Sequence, residues 1–343
     1  MENGSTRGLK HNERRRIEKL MIRYIFKRLL WMVPLFFGIT VMTFAVTQLA
    51  PGDPTDQATS LNPKISPEAK LRLRELYGLD RPIAERYARW AWSAARFDFG
   101  RSFRDGEPVA KKIADRLPIT LAINLTSLFL TVGLAVAIGV TGASHRDRWP
   151  DQLLTFIVFV IFAMPTFVIA IAAMALFGVR LHWLPVSGVT SLDFERMGLA
   201  AQAADLARHL ALPVAASVLA HFSGVARFMR SGMIEVLRQD YIKTAWSKGL
   251  PAWAVFYRHA LRNALLPLIT ILGLSVPGIL GGSVIIETVF SIPGMGKLMM
   301  DAVMARDLPV YMALLTVGAV LTLLGNLAAD LAYRWADPRI RQC

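Results

Sequence analysis

Six stretches of the chain stay apolar for about the 20 residues that a helix needs to cross a bilayer. They are residues 29–50, 120–142, 153–179, 210–228, 265–286 and 310–333. The fourth is the most interrupted, with Pro213, His221 and Ser223 inside it. Polar groups at that depth are tolerated when they face other helices instead of lipid. The first stretch is too long for the apolar core of a cleaved signal peptide, and no small-residue cleavage site follows it. The pattern therefore predicts an all-α integral membrane protein with six transmembrane helices.

The polar positions between these stretches set the orientation. Arg and Lys crowd the amino-terminal arm (Arg14, Arg15, Arg16, Arg23, Lys27, Arg28), the second connection (Arg146, Arg148), the fourth (Arg227, Arg230, Arg238, Lys243, Lys248, Arg258, Arg262) and the tail (Arg334, Arg339, Arg341). Loops rich in these residues stay in the cytoplasm, so both termini are expected to be cytoplasmic. Residues 1–20 read as a disordered basic cytoplasmic arm, and residues 21–343 as one transmembrane domain. Residues 51–119 then lie outside despite their own Arg and Lys, because connections longer than about 60 residues cross largely regardless of charge.

This external segment reads as helical. Residues 66–77 open on Ser-Pro-Glu and close at Gly78, residues 83–97 carry aromatic side chains on one side, and residues 109–117 form a third amphipathic piece. Either a packing collar for the first two spans or a contact for a delivery protein would use it.

Composition agrees with a membrane protein: 54% of the 343 residues are hydrophobic and only 19% are charged, against about 25% charged in soluble domains. The net charge of +14 does not indicate nucleic acid, since the basic residues flank apolar spans and do not interleave with aromatics on a reading face. They serve topology and lipid headgroups. The one cysteine, Cys343, allows neither an internal disulfide nor a CxxC pair.

Catalytic signatures are missing from the sequence. Gly296–Lys297 superficially suggests a phosphate loop, but Ser291 and Leu298 stand where that pattern needs Gly and Ser or Thr. No nucleophile elbow or HExxH motif occurs, so no cofactor and no enzymatic role are expected. Within the spans, His221 and Asn124 are candidates to line a solute path, and Asp330 is placed to pair with an arginine such as Arg334.

The strongest signal is the fourth connection, residues 231–264. Tyr241–Lys248 reads as a short helix ended by Gly249 and Pro251, and a second helix follows through Trp253, Phe256, Tyr257, His259 and Arg262. Four large aromatics (Trp246, Trp253, Phe256, Tyr257) on a water-facing hairpin need lipid headgroups or a protein groove to cover them.

Tyr241, Thr244, Ala245, Lys248 and Gly249 fit the Y-x-x-T-A-x-x-K-G form of a coupling loop, and His259, Arg262, Asn263 and Pro267 continue it. Further signatures are APGDP (50–54), YGLDRP (77–82), FDFGRSF (97–103), LPVSG (184–188), ETVFSIPGMG (287–296), RDLP (306–309) and DPRIR (337–341). Together they resemble the ABC-transporter permeases of the dipeptide/oligopeptide/nickel branch, first (B-type) subunit. Trp246, Ser247 and Ile292 depart from the usual pattern.

The resemblance implies a type I ABC importer permease fold in the bacterial inner membrane. Its partners would be a second homologous permease, two ATPase subunits that hydrolyse ATP, and an extracytoplasmic substrate-binding protein. It also implies that Tyr241, Thr244, Ala245, Trp246, Lys248, Gly249, His259, Arg262 and Asn263 couple to an ATPase. Short peptides are the first expectation for the solute, with nickel or a metal chelate as the alternative within the family. A stand-alone secondary transporter is the alternative from another class.

Overall fold

The computed structural model describes residues 3–49, 67–76, 78–265 and 281–336, together with positions 268, 271, 275, 278 and 279. Helices dominate these residues, and the only β feature among them is an isolated bridge between Arg101 and Pro108. The expected fifth span, residues 265–286, falls largely outside the described positions, as do APGDP and DPRIR.

Helix α1 spans Asn3–Leu49, with Ile25–Gln48 as its membrane-length apolar part. It continues through the arm expected to be disordered, a stretch with several Glu, Lys, Arg and Leu residues that favour helix. The connection after the first expected span holds α2 (Pro67–Leu76) and α3 (Ile83–Ala94). As expected, α2 stops at Gly78. The aromatic side of α3 packs on α1: Tyr87 and Thr40 share a hydrogen bond of 2.9 Å, and the Tyr87 ring meets Phe37 and Phe44 edge-on. That contact packs α3 against the first expected span.

Helix α4 (Val109–Ser144) joins what the sequence suggested as a separate amphipathic piece to the second span. It runs straight through Pro118. An interior proline removes one backbone hydrogen bond, at a cost of about 3 kcal/mol. Burial of Val109, with Ile113 and Leu117 packed beside it, against Met295, Leu298, Val310 and Ala313 offsets that loss.

The expected third span is broken. Helix α5 (Trp149–Ala163) and the following α6 (Thr166–Ala173), which widens into a π-turn over Met174–Arg180, meet at an angle of 101°. Pro165 sets the break. The residue before a proline is pushed out of helical geometry, and Met164 sits at φ −84, ψ 128.

Helix α7 (Leu199–Leu237) is the centre of the bundle and packs in close contact with α4. It continues into the hairpin helix α8 (Asp240–Ser247), a π-turn over Ala254–Ala260 and α9 (Leu261–Ala264). The chain closes with α10 (Val284–Val289), α11 (Met295–Met304) and α12 (Leu308–Ala336). Asp330 on α12 pairs with Arg28 of α1 at 2.9 Å, a partner 302 positions away, while the side chain of the expected neighbour Arg334 lies outside the described residues.

Buried residues of α4, α6, α7, α8 and α10, among them Ile123, Ala170, Phe222, Met229, Ile242 and Ile286, form one continuous core. Long apolar faces stay uncovered in the isolated chain, including Phe129, Phe156 and Phe162. Such faces belong against lipid or another membrane subunit.

Several signatures that are distant in sequence meet in space. Ser102 of FDFGRSF donates to the Asp307 carboxylate of RDLP, and Phe103 N–H adds a second bond at 3.0 Å. Gly188 N–H, which ends LPVSG, donates to Phe290 O at 3.0 Å inside ETVFSIPGMG.

Candidate functional site

The hairpin has two unlike faces. On α8, Ile242 and Ala245 are buried in the bundle core, and Val255 and Ala260 of the π-turn join them. Tyr241, Thr244, Trp246, Lys248 and Gly249 point outward, as do Trp253, Tyr257, Arg262 and Asn263. His259 is half-buried. The spacing explains the division, since residues three apart share a helix face, and Ala245 is small where the helix lies against the bundle.

Local bonds make the hairpin stiff. Gly249 N–H donates to Trp246 O at 2.9 Å and Leu250 N–H to Ala245 O at 3.5 Å. This is the pattern that ends a helix with a left-handed residue, and Gly249 has φ +70. Asn263 donates to the Tyr241 hydroxyl at 2.7 Å, tying the hairpin's exit to its entry. The Trp246 and Phe256 rings meet edge-on at 6.3 Å. Lys243, 2.8 Å from Asp240, holds that carboxyl below its ordinary value.

Just behind the hairpin lies an ion pair that sequence reasoning missed. Arg230 of α7 grips Asp151 of α5 through two parallel bonds, Nε to Oδ1 and Nη2 to Oδ2, both 2.6 Å. Asp147 N–H donates to the same carboxylate at 3.0 Å. Bidentate geometry of this kind is the strong form of the interaction. A Cβ at Gly142 of α4 would lie 3.1 Å from Asp151 Oδ1, so three helices converge where the hairpin is attached. Arg230 reads in sequence as one more orienting charge; the available signal was Asp151, a lone acid opening an apolar span.

A cavity of about 450 Å³ lies between α4, α7 and the segment before α10. It brings together the two residues proposed for a path, Asn124 and His221. Asn124 Nδ2 donates to Ile279 O at 2.8 Å, and His221 Nδ1 is 2.7 Å from Ser217 O. Their separation in sequence gave no hint of this contact surface.

At the opposite end from the hairpin, Glu287 is buried and accepts from Thr120 Oγ1 and Lys297 N–H, both at 2.9 Å. Its carboxylate faces the first turn of α11, where unpaired N–H groups attract negative charge. The site packs so closely that a Cβ at Gly282 would stand 2.5 Å from Glu287 Oε1. Glu287 thus locks α4, α10 and α11 together away from the hairpin. Sequence reading passed over it as part of a signature.

Comparison with known proteins matches this arrangement. Residues 130–342 match the family of binding-protein-dependent transport system inner membrane components, and residues 21–124 match the amino-terminal domain of the same components. The oligopeptide transport system permease protein AppB of Bacillus subtilis is 40% identical over 93% of this chain and 99% of its own length. A putative peptide transport system permease protein of Brucella melitensis is 36% identical over 94% of this chain and 99% of its own. Among solved structures, a chain of the inward-facing methionine ABC transporter MetNI superposes with a TM-score of 0.53 at 15% identity, covering 67% of this chain and 99% of that one. It shares the fold of a type I importer permease. The chain is a membrane-embedded transport component, without catalytic function of its own, and belongs to the binding-protein-dependent transport system inner membrane component family.

Proposed function

We propose that this chain is one permease subunit of an ATP-driven importer in the bacterial inner membrane, and that it forms half of the path for short peptides. In this reading it crosses the membrane six times, with both termini and the hairpin 231–264 in the cytoplasm and residues 51–119 outside. Residues 1–20 form the basic arm that precedes the transmembrane domain. A second permease forms the other half of the path, two ATPase subunits bind below, and a substrate-binding protein delivers from outside.

The observation that carries the reading is the two-faced hairpin: one side built into the bundle core, the other presenting Tyr241, Trp246, Trp253 and Tyr257 to whatever covers it. A stiff elbow so anchored passes a push from an ATPase groove to α7 and, through Arg230 and Asp151, to α5. Alternating access then needs no chemistry in this chain. The names of its relatives speak for peptide over nickel.

The test is uptake of labelled dipeptides and of nickel by membrane vesicles holding the whole assembly. ATP-dependent peptide uptake that vanadate blocks supports the proposal. Uptake that ignores ATP and vanadate points to a stand-alone transporter, and nickel uptake without peptide uptake replaces the solute.

A further inference from the structure

The cavity between α4 and α7 has a chemistry more specific than a passage requires. Among its described lining residues none carries a formal charge; the polar ones are Asn124, Ser127, Thr131, Ser217, Ser275 and Ser283, plus His221. A path for charged termini or for a hydrated cation would be served by opposite charge. Neutral donors and acceptors suit a neutral solute group that itself alternates donors and acceptors.

Three side chains have hydrogen-bonding capacity left over. Ser217 O can only accept, so the His221 Nδ1 at 2.7 Å donates to it, and Nε2 of that tautomer is an acceptor. Asn124 spends its NH₂ group on Ile279 O, and weakly on Gly278 O at 3.4 Å, which leaves Oδ1 to accept. Ser127 is 5% exposed, and its hydroxyl has no hydrogen-bond partner among the described residues. Buried polar atoms without partners are rare and costly, so an orphan in the wall of a cavity points to something that satisfies it during the transport cycle.

We infer that this cavity reads peptide main-chain amides, with His221 and Asn124 accepting N–H groups and Ser127 pairing a carbonyl. The inference rests on the peptide-import reading above. Because it uses the backbone, it accepts peptides of many side chains; a cavity of this size falls within the range of small-molecule sites.

The experiment uses the complete assembly in proteoliposomes and measures trialanine transported per ATP hydrolysed. His221→Phe keeps a planar ring but loses the acceptor; N-methylating the amide nitrogen of the second alanine of trialanine removes the matching donor. Each change alone should lower the ratio roughly threefold to tenfold, the range for one hydrogen bond. The two together should be no worse than the methylation alone, because they delete the same bond. Delivery by the binding protein also responds to methylation, but equally in both proteins, so the cycle cancels it. Effects that simply multiply would overturn the inference.

Ser127→Ala provides a second arm should the histidine variant fail to insert. A hydroxyl with no partner contributes nothing to the fold, so thermal stability should hold or rise while trialanine transport per ATP falls about threefold. Unchanged transport would overturn the assignment. If the unaltered assembly shows no ATP-driven peptide uptake, the functional proposal itself has failed, a result distinct from either outcome above.

Discussion

Two glycines of α4, Gly133 and Gly139, differ only in what lies opposite them, and this makes their alanine variants a sharp test of the α4–α7 packing. A Cβ at Gly139 would fall 2.5 Å from Met229 Cβ, 3.0 Å from Arg230 N and 3.1 Å from Met229 C. Two of those three atoms are backbone, so no side chain can rotate away. Carbon atoms pack at about 3.5–4.0 Å, so Gly139→Ala forces the helices apart by roughly 1 Å. Overpacking of this kind costs about 1–3 kcal/mol, and here the displacement also reaches the neighbouring Arg230–Asp151 pair. Gly133, six residues earlier, has nothing within 4 Å of its would-be Cβ. There alanine should be neutral or stabilising by up to about 1 kcal/mol through helix propensity. Thermal unfolding of the detergent-solubilised protein, followed by intrinsic fluorescence, measures both. Gly139→Ala should melt several degrees below the unaltered chain, and Gly133→Ala at or above it. Equal melting temperatures would refute the close approach of the two helices.

Other expectations follow from the same geometry. Asp151→Asn leaves the Arg230 guanidinium without its carboxylate; such losses cost about 3–5 kcal/mol when fully buried, but Arg230 is 31% exposed, so about 1–3 kcal/mol is expected after solvent screening. The double variant Asp151→Asn/Arg230→Gln should recover part of that loss in the same melting assay, and an additive double variant would show that the two residues are not paired. At Gly249, φ +70 with nothing near the Cβ position means that only backbone strain opposes a side chain. Gly249→Asn should therefore retain most ATP-driven uptake and Gly249→Val should lose it at equal membrane levels; equal retention would disconnect the helix stop from coupling. Asp307→Ala strips the acceptor from Ser102 and Phe103. The segment 51–119, proposed to lie outside, should then become sensitive to added protease in intact cells, and unchanged resistance would mean the contact does not hold it.

Much of the fold was legible because membrane spans are long and their composition is extreme. The first, second, fourth and sixth expected spans correspond to helices of membrane length. The third was misread as continuous because Met164 and Pro165 interrupt only the backbone and leave the hydrophobic pattern intact. The amphipathic piece 109–117 and the second span were read as separate, yet tertiary packing carries α4 from one into the other through Pro118. The hairpin was legible since its stop signal, Gly249 before Pro251, is local chemistry. By contrast, Asp151–Arg230 and Thr120–Glu287 join residues 79 and 167 positions apart, and no periodicity announces such a pairing. Asn124 and His221 could be nominated from polarity inside apolar spans, but that they share one cavity is a property of helix packing alone.

Where the hairpin docks decides whether it couples to an ATPase. Cys343 replaced by serine gives a background in which single cysteines can be placed at Trp253, exposed on the hairpin, and at Leu192, exposed in the connection that precedes α7. Bifunctional cross-linking in membranes holding the whole assembly should join position 253 to an ATPase subunit, with a yield that changes when ATP is added, and should leave position 192 unlinked to it. A cross-link from position 192 to the ATPase, with none from position 253, would contradict the coupling role of the hairpin outright.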